Sequence, residues 1–139
     1  MKSARRFRLA ALIPVLAMSS AAVLAADSKI TLKGAEEVPA VTTTAAGTGT
    51  ITIGADKKVS GSIKVTGIQA TAAHIHVGAA GKNGPVAVAL AKTADDVWSV
   101  PPDSKLSDEQ YASYQAGELY VNVHSAANKG GEIRAQIKP

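Results

Sequence analysis

The sequence predicts an all-β protein: a Greek-key antiparallel β-sandwich or barrel of about eight short strands, with one short helix near residues 107-116. Three observations carry that reading. Runs of four to eight residues alternate apolar and polar side chains, which puts one face of each run in a core. Glycine, proline and asparagine punctuate the runs at short spacing. A single helix start signal, Ser107 followed three residues later by Gln110, stands in an otherwise strand-like chain.

The first segment lies apart from this pattern. Met1 to Arg8 is basic, Leu9 to Leu24 is apolar, and Ala25-Ala26 are small, so residues 1-26 read as a secretory signal peptide. The apolar run, broken by Pro14 and Ser19-Ser20, is short for a membrane span, and none is expected after cleavage. Residues 27-139 are expected to form one domain. Lys2, Arg5, Arg6 and Arg8 account for four of the 15 basic residues, and all 11 acidic residues lie beyond them. The remaining chain is therefore formally neutral, which gives no support to a nucleic-acid partner. There is no cysteine, which excludes thiolate chemistry, iron–sulfur clusters and disulfides. A periplasmic or secreted location follows from the leader. Oligomeric state is not readable.

Taken in order, Lys29 to Lys33 alternates as a first strand, and Glu36-Glu37-Val38-Pro39-Ala40 reads as an edge or loop. Thr48 to Ile53 and Lys58 to Val65 flank Gly54-Ala55-Asp56-Lys57 as a hairpin. The strand containing Ala73-His74-Ile75-His76-Val77 follows, then a glycine-rich loop through Gly84-Pro85, then a strand over Val86 to Leu90. Trp98, the only tryptophan, is expected in the core between Val97 and Val100, and Asp95-Asp96 at a turn. In the helix, Leu106 is set to staple onto Tyr111, Gly117 ends it, and Tyr111 and Tyr114 share a docking face. Leu119 to His124 and Gly131 to Ile137 close the chain, with Glu132, Arg134 and Gln136 expected to face outward.

The chain has three histidines, and all fall in this strand pattern. His74 and His76 are two apart, so a strand puts both imidazoles on one face, opposite Ile75 and Val77. His124 projects from the outer face of its own strand. Three imidazoles converging from two strands make a candidate metal site. Neutral imidazoles suit copper, which heads the divalent affinity order, and three histidines also match an open zinc site, so ligand count leaves both metals standing. A ligating histidine needs a partner for its second ring nitrogen. Asn122, Glu132 or carbonyls of the loop from Gly78 to Gly84 are the candidates, and Arg134 is a candidate anion guide. Tyr120, Glu118 and Asn122 share the His124 face and are candidates for a fourth ligand. Zinc hydrolysis would need a general base, for which Glu118 or Glu132 is available. No nucleophile elbow or phosphate-cradling loop is present.

These residues resemble the chordin-type (CHRD) domain family. The motifs that carry the likeness are Leu32-Lys33-Gly34-Ala35-Glu36-Glu37-Val38-Pro39, His74-Ile75-His76, Asn83-Gly84-Pro85-Val86, Gly117 to His124 and Gly130-Gly131-Glu132-Ile133-Arg134. The resemblance implies an extracellular setting, which includes non-catalytic binding modules. A weaker likeness joins His74-Ile75-His76-Val77-Gly78 and Val123-His124, followed by Gly130-Gly131, to the copper-binding segments of copper/zinc superoxide dismutases. It implies His74, His76 and His124 as copper ligands, Arg134 in the anion-guiding role, and superoxide as substrate through Cu(II)/Cu(I) cycling. The bridging histidine, the zinc ligands and the disulfide of that family have no counterpart here, so a zinc-free copper site is what transfers. A copper carrier or buffer would use the same ligands without turnover.

Overall fold

A computed structural model describes residues 24–139. Most of the expected signal peptide, up to residue 23, lies outside the described residues. Its expected cleavage region, Ala25-Ala26, opens the first strand.

The chain forms one antiparallel nine-stranded sheet that curls into a nearly closed barrel, with one short helix. The strands are β1 (Ala25–Lys33), β2 (Ala46–Gly54), β3 (Val59–Thr66), β4 (Ala70–Val77), β5 (Val86–Ala89), β6 (Ala91–Ala94), β7 (Val97–Ser99), β8 (Leu119–Ser125) and β9 (Ile133–Ile137). Their order across the sheet is β5-β4-β8-β9-β1-β2-β3-β7-β6. The neighbours β4/β8, β9/β1 and β3/β7 are distant in sequence, so long connections cross the barrel as a Greek key requires. The helix α1 (Asp108–Gln115) rides on the β7–β8 connection.

Alternation explains the strands. Leu32, Ile51, Ile63, Ile75, Leu119, Val121, Val123, Ile133 and Ile137 are all at most 1% exposed and meet in one core. Each such side chain contributes roughly 1.5–3 kcal/mol on removal from water. Trp98 joins this core as expected. The expected hairpin is present, with Gly54 to Lys58 closing it through backbone hydrogen bonds. The capping box at α1 is complete: Ser107 Oγ accepts from the Gln110 N–H, and Gln110 Oε1 accepts from the Ser107 N–H. Tyr114 is buried and Tyr111 packs against the core beside it.

Two expectations change. The ninth strand is β6, whose four residues are all exposed and so carry no apolar alternation for a sequence reading to find. More consequentially, the face of β4, β8 and β9 that points away from the core is not open to solvent. Glu132 is 8% exposed and Arg134 1%, so neither faces outward as expected. His76 is likewise buried.

What covers that face is loop. Residues 78–85, between β4 and β5, are pinned by Arg134 Nη2, which donates to the Ala79 carbonyl at 3.0 Å, and by Gln136 Nε2, which donates to that of Gly78 at 3.1 Å. The Gly84 N–H donates to the Tyr120 hydroxyl at 3.1 Å. Gly84 is required there, since a Cβ on it would sit 1.7 Å from the Val77 carbonyl oxygen. Residues 34–43 cover the neighbouring part, tied by Asn83 Nδ2 to the Val38 carbonyl at 2.7 Å and by Thr43 Oγ1 to Glu132 at 3.1 Å.

Candidate metal centre

Register brings the histidines together. On β4 and β8, His76 lies opposite Tyr120, His74 opposite Asn122, and Ala72 opposite His124. All the polar members of these pairs share the face away from the core. One ring nitrogen from each of His74, His76 and His124 falls within 4.8 Å of the other two. Ring centroids are separated by 4.9 Å for His74 and His124, 5.5 Å for His74 and His76, and 6.1 Å for His76 and His124.

Two backbone carbonyls decide which nitrogens are free. His76 Nδ1 lies 2.9 Å from the Gly84 carbonyl oxygen, and His124 Nδ1 lies 2.8 Å from that of Lys129. A carbonyl only accepts, so each Nδ1 carries a proton and each Nε2 keeps its lone pair. His124 Nε2 then accepts from His74 Nδ1 at 3.0 Å. His76 Nε2 is buried with no hydrogen-bond partner. A buried imidazole nitrogen without a partner is costly unless something fills the place.

A cation held by three nitrogens fits this donor set. It would take the lone pairs of His76 Nε2, His124 Nε2 and His74 Nδ1, with the His74 proton moving to Nε2.

The environment favours the neutral form of His74 and His76. Burial pushes the His74 imidazole below its ordinary value, and the neighbouring charges of His124 and His76 add to that. Burial also lowers His76, with His124 and Arg134 acting in the same direction, while the Gly84 carbonyl and Asn122 act against them. Neutral imidazole is the metal-binding form.

Beneath the histidines lies a buried polar layer. Tyr120 stacks on His76 with centroids 4.8 Å apart and planes 1° from parallel. The Arg134 guanidinium, from the strand on the other side of β8, sits 3.5 Å from the centre of the Tyr120 ring. Arg134 also donates to Asn83 Oδ1 at 3.3 Å and Gln136 Oε1 at 2.9 Å, so three of its five N–H donors are engaged within the protein. Glu37 is buried nearby. Burial pushes its carboxyl up to about 7, against the opposing pull of the Arg134 charge and of bonds from Asn122 and the Val38 backbone.

The sequence-selected partners divide. A carbonyl of the loop from Gly78 to Gly84 orients His76, within the expected set. Glu132 bonds to no histidine: it accepts from Ser125, Asn128 and Thr43, and so braces the β8–β9 turn that carries the Lys129 carbonyl. Burial alone would raise the Glu132 carboxyl, and those three bonds together hold it below the ordinary value. Asn122 Nδ2 donates to the Gly130 carbonyl at 3.3 Å, bracing the same turn. Tyr120 packs against His76, and neither Glu118 nor Glu132 is among the converging ligands. Sequence reasoning missed Lys129, whose backbone rather than side chain acts here, and Glu37, which looked like loop.

Residues 28–137 match the CHRD domain family model, which spans well over half of the chain. The chain belongs to the CHRD domain family. CHRD domains occur in extracellular proteins, and among the described residues no helix is long and apolar enough to cross a membrane. No curated protein and no solved structure matches the chain.

Proposed function

We propose that this is an exported copper-binding protein, periplasmic or secreted, whose three-histidine site dismutes superoxide. The observation that supports it is the convergence of His74, His76 and His124 with two ring tautomers set by carbonyls and one buried Nε2 left without a partner. Copper would supply one-electron exchange, so that two superoxide ions and two protons yield dioxygen and hydrogen peroxide. The chain's own residues do the rest. The Gly84 and Lys129 carbonyls aim the rings, Tyr120 holds His76 flat, and Arg134 ties the covering loop to the barrel. In this reading Arg134 is a support and not an anion guide, because its guanidinium is covered and three of its donors hold the covering loop and Gln136.

Family membership favours a second reading, a metal-free extracellular binding module. A copper carrier would use the same ligands as the enzyme. Substituting each histidine singly by alanine separates these. The copper reading expects every variant to lose stoichiometric copper, and it fails if all three keep it. Turnover is a separate matter: copper-loaded protein with no more superoxide-consuming activity than free copper, and that activity lost on chelation, is a carrier.

A further inference from the structure

The histidine cluster has one open side. A shallow depression of about 460 Å³ lies against the edges of His74 and His124, and its remaining walls include Thr71, Ala72, Ala126 and Lys129. The volume falls within the range of small-molecule sites. Its surface is mainly apolar, from alanine methyls and ring carbons, and Lys129 is the one charged residue among its lining. Lys129 and Ala126 are exposed, whereas its backbone neighbours in the turn are fixed by Glu132 and Asn122. The adjacent acid, Glu132, is buried and engaged by Ser125, Asn128 and Thr43, so it does not cancel the lysine at the surface.

Superoxide at the histidines would leave most of this depression unfilled, so it has room for a second, larger ligand. An ammonium beside apolar walls, next to imidazoles, suits a ligand with one negative charge and an apolar body. We propose that the depression binds a small organic monoanion, a carboxylate or phenolate on an apolar ring or chain. The anionic head lies toward Lys129 and the histidines, and the apolar body lies over Ala72 and Ala126. The proposal goes beyond the copper reading by adding a second ligand beside the histidines, and it rests on that reading only for the added pull of the metal. The lysine and alanines are present with or without it.

The test is a titration of the full chain, metal-free and copper-loaded, with sodium benzoate and with sodium acetate. Amide shifts of Ala72, Ala126 and Lys129 report binding in the metal-free form, and the Cu(II) spectrum reports it in the loaded form. Benzoate is expected to half-saturate at a concentration at least fivefold below acetate in the metal-free protein. Lys129→Met, which keeps the backbone carbonyl on His124, and Ala126→Asp, which sets a carboxylate into the wall, should each raise the benzoate midpoint at least threefold. Both positions are exposed, so the variants fold. Equal midpoints for benzoate and acetate, or variants that bind benzoate as the wild type does, overturn the proposal. Benzoate binding as expected in a protein that takes up no copper overturns the copper reading and leaves this one standing.

Discussion

Replacing Arg134 by methionine tests the buried layer that supports the histidines. Methionine keeps most of the stem and removes the guanidinium. Three donated hydrogen bonds disappear, at 3.3, 3.0 and 2.9 Å, leaving Asn83 Oδ1, the Ala79 carbonyl and Gln136 Oε1 short of a donor. Bonds from a charged donor contribute at least about 1.5 kcal/mol each, and a desolvated cation over an aromatic ring about 2 kcal/mol. Against this, methionine needs no desolvation, which recovers several kcal/mol. The net expected loss is about 2–4 kcal/mol. The loss should also depend on pH. The Arg134 charge lowers the Glu37 carboxyl, so its removal moves that group still further above the unfolded value of 4.5. A raised carboxyl costs stability as pH rises from the unfolded value to the folded one, and the loss then stays constant. The variant should therefore lose more at pH 8 than at pH 5. Urea denaturation followed by Trp98 fluorescence measures both. A loss under about 1 kcal/mol, or one equal at the two pH values, would refute a buried, supporting arginine.

Other consequences follow from the same geometry. Gly131 has φ +125, and a Cβ there would lie 2.4 Å from Glu37 Oε1 and 2.5 Å from Asn122 Nδ2. Gly131→Ala should cost at least about 2 kcal/mol in denaturant and weaken metal binding through the β8–β9 turn, whereas Gly81→Ala, with nothing within 4 Å of its Cβ, should cost only the strain of its own backbone. In the metal-free protein, His74 and His76 sit below the ordinary 6.5, so stability is full above that value and falls as pH drops through their folded values. Glu37 acts oppositely, costing stability as pH rises from 4.5 to about 7. Glu37→Gln should thus gain on the wild type more at pH 8 than at pH 5, read from thermal unfolding across that range. Ser107→Ala removes one half of the capping box and should cost about 1 kcal/mol without changing metal binding, because α1 lies outside the histidine cluster.

Where a side chain meets the core, the sequence was readable. Alternation located eight of the nine strands, Trp98 declared its burial by size, and Ser107 and Gln110 declared the helix start. The three histidines could be grouped because β4 and β8 are single strands with intact alternation, and pairing did the rest. What alternation could not reveal is a second covered face. It assigns a residue to the side opposite the core and says nothing of loops that fold over that side. Residues 78–85 and 34–43 do so here, which is why Arg134, Glu132 and His76 are buried. One backbone partner was anticipated, a carbonyl of the loop from Gly78 to Gly84, whereas the Lys129 carbonyl that fixes His124 leaves no trace in residue type.

The central claim is that His74, His76 and His124 together hold one copper ion. Electron paramagnetic resonance of the protein, purified without a histidine tag and loaded with one equivalent of Cu(II), tests it most directly. The account predicts a single species with splitting from three imidazole nitrogens, lost when all three histidines are replaced. A spectrum that is unchanged in the triple variant, or that matches Cu(II) in buffer, would contradict it.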